Sequence, residues 1–92
     1  MEYLAIDAFS NPVRIKLLCC LSQKSKNVQE LMEKCGLAQS AVSQHLIKLK
    51  KANLVKTRRH GKFIYYSLKN DKTAEVAKLL SSYCKEVNLR NV

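Results

Sequence analysis

The chain has 92 residues and a formal net charge of +10, and 47% of its residues are hydrophobic. That length suits one domain, 1–92, near the small end of what folds alone, so pairing with a second copy is expected to add burial. No apolar stretch approaches the roughly 20 residues needed to cross a bilayer, and MEYLAIDAFS is too acidic and too short for a secretory signal, so the expected compartment is the cytoplasm, with no membrane partner.

Tyr3, Leu4, Ile6, Ala8 and Phe9 suit a short first helix over about residues 1–9. Ser10, Asn11 and Pro12 supply a capping side chain and then a proline where the missing N–H costs nothing, which opens a second helix from about Pro12 to Ser22. At 100° per residue its Val13, Leu17, Cys20 and Leu21 lie within about 60° of one another, whereas Ile15 and Cys19 point the opposite way. A helix apolar on both sides is expected to be sandwiched between two layers, with Cys20 facing one and Cys19 the other. Gln23 to Lys26 reads as a polar loop. Asn27 and Glu30 then form a capping-box-like pair for a third helix, in which Val28, Leu31, Met32 and Cys35 recur at helical spacing before Gly36 supplies a left-handed stop.

A fourth helix follows within three residues and runs through Lys51, with Val42, Leu46 and Leu49 as its buried stripe. Ser40, Ser43, Gln44, Ile47, Lys48 and Lys51 fall together on the opposite face. A solvated face usually mixes Glu with Lys, and this one carries serine and glutamine edged with lysine. In LVKTRRHGKFIYYSL two β-branched and aromatic runs flank Arg59-His60-Gly61-Lys62, which reads as a β-hairpin with a basic tip. Asn70 or Asp71 caps a last helix over about 72–87, whose Val76, Leu79, Leu80, Tyr83, Cys84 and Val87 make an apolar stripe in need of a partner. The expected fold is mainly α with a β-hairpin wing, in the order α-α-α-α-β-β-α.

Between Lys34 and Asn70 there is no acidic residue. An unneutralised basic block of this kind fits a polyanion, with duplex DNA first and an anionic membrane surface second. Two short helices joined by a tight Gly-containing turn, the second polar and basic on its free face, are the parts of a helix-turn-helix reader, and the hairpin supplies a wing. Ser, Gln and His side chains can pair with base edges in the major groove, while Arg58, Arg59 and Lys62 suit phosphates or a minor groove.

GLAQSAVSQHLIKLKKANLVKTRRHGKFIYYSL resembles the winged-helix core of the ArsR/SmtB family of bacterial repressors, and NPVRIKLLCCLS resembles that family's preceding helix. The resemblance covers about residues 11–68, and the SQHL box followed by a basic hairpin ending in YYSL is its most specific part. It implies a homodimer with the first and last helices at the interface, bound to an inverted-repeat operator. It also implies that Gln39, Ser40, Ser43, Gln44 and His45 contact DNA, with Arg58, Arg59 and Lys62 in the wing, and Lys48 joins them as a DNA contact from the same free face of the fourth helix. His45 lies partly toward the buried stripe, which leaves packing as its other role. Ala38 stands where the family usually has a serine cap, so Ser40 is left as a possible cap and the start of the helix is open.

In a reducing compartment four unevenly spaced cysteines are not a disulfide framework, and no paired CxxC motif marks a structural zinc site. Cys20 and Cys35 read as core residues, since a free cysteine packs as a small hydrophobe. The ArsR/SmtB resemblance raises metal inducers, but the third helix begins NVQELMEK without cysteine and the last helix has no DxH-type pair, so no metal and no cofactor is expected. Cys19 and Cys84 resemble the paired thiols of the sulfide-responsive branch, the biofilm-growth-associated repressor type. That resemblance implies release from DNA when a reactive sulfur species modifies them. The competing readings are a metal- or arsenite-responsive repressor using Cys19, Cys20 and Cys84, and a thiol redox enzyme. The absence of a nearby His, Asp or Glu to act as base weighs against an enzyme.

Overall fold

Local capping fixes most of the element boundaries. A computed structural model describes the backbone of residues 2–90 and the side chains of residues 4–83. The elements are α1 (Glu2–Ala8), α2 (Pro12–Leu21), β1 (Lys26–Asn27), α3 (Val28–Cys35), α4 (Gln39–Lys51), β2 (Val55–His60), β3 (Phe63–Leu68) and α5 (Asp71–Arg90). The Asn11 side chain accepts from the backbone N–H groups of Val13 and Arg14 at 2.8 and 3.2 Å, with Pro12 at the first helical position of α2. Asn27 and Glu30 close a full capping box on α3, with Glu30 N–H donating to Asn27 Oδ1 at 2.8 Å and Asn27 N–H donating to Glu30 Oε1 at 3.0 Å. Gly36, at φ +66°, ends α3 in the left-handed region. Ala38 is the cap residue of α4 and offers its helix no side-chain acceptor, so Ser40 lies inside the first turn and does not cap it. At its other end α4 closes with Asn53 at φ 65° and a bond from Leu54 N–H to Leu49 C=O, a Schellman stop without glycine.

The core gathers Leu17, Leu18, Leu31, Val42, Leu46 and Leu49, all but fully buried. At roughly 1.5–3 kcal/mol per aliphatic side chain removed from water, these six set the scale of the hydrophobic stabilisation. Leu17 and Leu18 are adjacent, about 100° apart around α2, and both are excluded from solvent. The sandwiching expected of α2 is thus realised, since it packs on α3, α4 and β3 and on α5.

The basic charge is partly spent on helix ends. Buried Arg14 donates through Nε to Ala8 C=O and through Nη2 to Asp7 C=O, both at 3.0 Å, and so closes the C-terminus of α1. Lys26 Nζ donates to Cys20 C=O at 2.8 Å at the end of α2, and Lys16 Nζ donates to Cys35 C=O at 3.3 Å at the end of α3. Each cation meets orphan carbonyls where the helix dipole is negative.

One expectation is corrected here. Gln23 to Lys26 is not wholly a polar loop, because Lys26 and Asn27 form β1 and Lys26 is only 3% exposed. β1 pairs antiparallel with β3, Lys26 opposite Tyr66 and Asn27 opposite Tyr65, so the sheet has three strands in the order β1-β3-β2. β2 and β3 pair from Val55 and Leu68 to His60 and Phe63 across a two-residue Gly61-Lys62 turn. Gly61 alone takes positive φ there, +63°, which suits the primed turn that strand twist favours. The Asn70 side chain accepts from Lys72 N–H at 2.8 Å where α5 begins.

Candidate nucleic-acid interface

The outer face of α4 is set by which of its residues the core claims. Val42, Leu46 and Leu49 are buried, which turns Gln39, Ser40, Gln44, Ile47, Lys48 and Lys51 into solvent, with Ser43 half-buried beside them. Short hydrogen-bonding side chains therefore occupy the centre of the exposed surface and lysines its rim. His45 is half-buried, and its Nδ1 atom is buried without a hydrogen-bond partner among the described residues. Its pKa is lowered from the ordinary 6.5, first by burial and then by the positive charges of Arg14 and Lys48. The imidazole is held toward its neutral form, so it offers this face a hydrogen-bonding edge more than a charge.

The wing adds cations on two sides. Strand alternation places Arg58 with Lys56 and His60 on the face turned away from the core, while Arg59 shares the opposite face with Val55 and Thr57. The pair grouped by charge in the sequence is therefore split. Lys56, Arg58, His60, Tyr65 and Ser67 line an open groove of about 810 Å³ on the outward face. Tyr65 stands edge-on to His60 and to Phe63, with ring centroids 6.4 and 6.5 Å apart, and Lys62 Nζ lies 5.5 Å from the Phe63 ring centroid. Arg59 Nε donates to Gly61 C=O at 3.3 Å. Lys56, His60 and Tyr65 were not singled out from the sequence as site residues, although the period of two, counted from Arg58, would have found them.

The three described cysteines divide between α2 and α3. Cys20 is half-buried and faces buried Cys35 of α3, with the two Sγ atoms 3.6 Å apart. Burial, followed by the hydrogen bond to Cys20 and the Cys20 charge, pushes the Cys35 thiol up to about 11, against the opposing pull of Lys16 and Lys26. Cys19 is half-buried, one residue earlier on α2 and about 100° around it. Cys84 lies on the α5 backbone, but its side chain, like those of Tyr3 and Val87, is outside the described residues, and so is its distance from Cys19. Among the described residues no three His, Cys, Asp or Glu side chains converge as metal ligands, and no helix is long and apolar enough to cross a membrane.

The terminal helices carry an apolar surface that no described residue covers. Leu4 and Ile6 on α1 are 47% and 69% exposed, and Val76, Leu79 and Tyr83 on α5 are 41%, 71% and 62% exposed.

Comparison with known proteins agrees with this geometry. Residues 11–57 match the family described as bacterial regulatory protein, arsR family. Among curated relatives, nodulation protein NolR of Rhizobium meliloti is 43% identical over 76 residues, which is 83% of this chain and 62% of the relative. Transcriptional activator HlyU of Vibrio cholerae is 35% identical over 80 residues, 86% of this chain and 74% of the relative. The biofilm growth-associated repressor of Agrobacterium fabrum is 36% identical over 77 residues, 84% of this chain and 66% of the relative. The chain thus spans less than two thirds of NolR and of the Agrobacterium repressor. Of solved structures, HlyU from Vibrio cholerae aligns with TM-score 0.79 at 33% identity, over 90% of this chain and 91% of that one. The homodimeric winged helix-turn-helix DNA-binding domain of Mb0332 from Mycobacterium bovis aligns with TM-score 0.80 at 25% identity, over 99% of this chain and 83% of that one.

Proposed function

We propose, from the premise that the chain belongs to the arsR family of bacterial regulatory proteins, that two copies of it bind duplex DNA as a transcriptional repressor and let go when their thiols are modified. The observation that carries this reading is the exposed α4 face of Gln39, Ser40, Ser43 and Gln44, uncharged at its centre and edged by Lys48 and Lys51. Such a face suits the major groove, where bidentate amide and hydroxyl contacts to base edges discriminate sequence while lysines hold phosphates. His45 stands at the edge of this face. Arg58 and Lys62 of the wing serve the flanking backbone, and Arg59 reaches it from the wing's other face.

The uncovered apolar side chains of α1 and α5 support pairing through the terminal helices. A two-fold pair of reading helices about 34 Å apart matches an inverted repeat one helical turn in period. The homodimeric state of the Mycobacterium bovis domain agrees with this. Relatives named as regulators of transcription weigh against a thiol enzyme.

Release by a reactive sulfur species rests on the likeness of Cys19 and Cys84 to the thiol pair of the biofilm-growth-associated type. A small-molecule persulfide RSSH would transfer its outer sulfur to Cys19 and leave as RSH, and attack by Cys84 on the inner sulfur of the Cys19 persulfide would close the disulfide with hydrogen sulfide leaving. Persulfidation of both cysteines would instead give a trisulfide with loss of hydrogen sulfide, and either link would move α5 against the core. The test is a mobility shift on an inverted-repeat operator selected from random duplexes, with reduced protein and then after a persulfide donor. Reduced protein should bind, and Gln44→Ala should lose about 1–3 kcal/mol of preference for its site. Cys19→Ser and Cys84→Ser should each bind as tightly as the parent and ignore the donor. Donor-driven release that survives in both variants would refute the thiol assignment, and no binding by reduced protein would refute the DNA reading itself.

A further inference from the structure

We infer that Cys20 and Cys35 form a second dithiol, separate from Cys19 and Cys84, which hydroperoxides oxidise to a disulfide inside one protomer at the root of the reading helix. Their Sγ atoms already lie 3.6 Å apart across α2 and α3. A disulfide bond is about 2.05 Å long, so closure needs roughly 1.5 Å of approach, within reach of side-chain rotation and a small helix shift.

The surroundings assign the roles. Cys35 is buried and its thiol is pushed up to about 11, first by burial, so it serves as the resolving thiol; either sulfur can be the donor of the contact. Cys20 is half-buried and within reach of a small oxidant. The ammonium groups of Lys16 and Lys26 are anchored on the carbonyls of Cys35 and Cys20 themselves, which places two positive charges beside the sulfur pair.

The chemistry balances in two steps. The Cys20 thiolate attacks the hydroperoxide, the O–O bond breaks, and the leaving oxygen takes up the proton that Cys20 released, giving Cys20 sulfenic acid and an alcohol, or water when the oxidant is hydrogen peroxide. The Cys35 sulfur then attacks the sulfenic sulfur; its proton leaves with the hydroxyl as water and the S–S bond forms. The two thiols lose two electrons, and the peroxide gains them.

Cys35 is the last residue of α3, and α4 begins three residues beyond Gly36, at Gln39. Drawing Cys35 toward α2 therefore pulls on the turn that seats α4. That consequence rests on α4 being the reading helix; the bond itself does not.

The experiment uses the full chain carrying Cys19→Ser and Cys84→Ser, treated with equimolar hydrogen peroxide. Free thiols should fall from two to none, and unreduced tryptic digestion should yield peptide 17–24 joined to peptide 35–48, separable by reductant. If this variant does not fold, the same joined peptide is sought from the parent chain, with fragmentation placing the link on Cys20 and not Cys19. Adding Cys35→Ser should abolish the link and leave a Cys20 sulfenic acid that dimedone traps. Two alkylatable thiols after treatment, or overoxidised Cys20 beside free Cys35, would overturn the proposal. Affinity for the selected duplex should drop about fivefold or more on oxidation. Unchanged affinity of a protein shown to be cross-linked would overturn the coupling to α4, whereas failure of the reduced variant to bind DNA would strike the functional reading and leave the dithiol to the peptide result.

Discussion

Helix α4 begins without a side-chain cap, and Ala38→Ser should repair it. The Ala38 backbone already has the extended geometry of a cap residue, φ −70° and ψ 154°, and its carbonyl accepts the first helical bond, from Val42 N–H at 3.1 Å. The N–H groups of Gln39, Ser40 and Ala41 precede that bond and have no partner within the helix. A serine Oγ at position 38 would accept from the second or third of them, as Asn11 and Asn27 do at the starts of α2 and α3. Because position 38 is exposed, water already solvates these donors, so the gain should sit near the middle of the usual 0.5–2 kcal/mol, about 1 kcal/mol. For a domain this small that is a rise in Tm of roughly 4–8 °C, or close to 1 M in the urea midpoint at an m-value of about 1 kcal/mol/M. Urea titrations of parent and variant at equal protein concentration measure it, the equal concentration removing any contribution from association. Ala38→Val, which offers no acceptor, should give no gain. A midpoint for Ala38→Ser that is unchanged or lower, at unchanged slope, would refute the claim that this helix start is under-capped.

Protonation of His45 is disfavoured in the fold, so the unfolded chain takes up the proton first as pH falls. The stabilisation from neutral His45 is full above pH 6.5 and declines below it until the lowered folded-state pKa is passed, and His45→Gln should flatten that decline in denaturation midpoints between pH 7.5 and 5.5. Arg14→Met should cost about 2–4 kcal/mol by circular dichroism melting, because two α1 carbonyls lose a buried charged donor. Gly36→Ala should cost about 1 kcal/mol from backbone conformation alone, since an added Cβ there meets no atom within 4 Å. Arg58→Ala and Lys62→Ala should each lower the salt dependence of DNA affinity by about one phosphate contact while leaving sequence preference intact, as read from log K against log salt.

Features decided by near neighbours in the chain were legible before any coordinates. Asn27 with Glu30, Asn11 with Pro12, and Gly36 are local devices, and each acts where the sequence puts it. The face of α4 was equally legible, because a helical period fixes which side chains Val42, Leu46 and Leu49 leave outside. Opposed phases on α2 gave the direction of Cys20, but not its partner, since the 3.6 Å approach to Cys35 depends on how α2 and α3 pack. β1 escaped notice because two residues carry no periodicity. Lys26 looked like loop charge because the carbonyl that justifies its burial belongs to the end of a different element. Arg58 and Arg59 were grouped by charge when strand alternation divides them. Arg14 lies within NPVRIKLLCCLS with no role legible from the sequence, and its duty emerges only when the end of α1 is brought beside α2.

Asn27 holds two posts at once. Its backbone belongs to the strand laid against Tyr65, and its side chain closes the first turn of α3. The wing is thereby tied to the scaffold that carries α4 through Asn27, in addition to the contacts of β2 with α4 and of β3 with α2 and α5. Should a duplex seat on this surface, such bracing would shift bending and groove adjustment toward the nucleic acid and favour deformable base steps beneath the wing even where no side chain reads them.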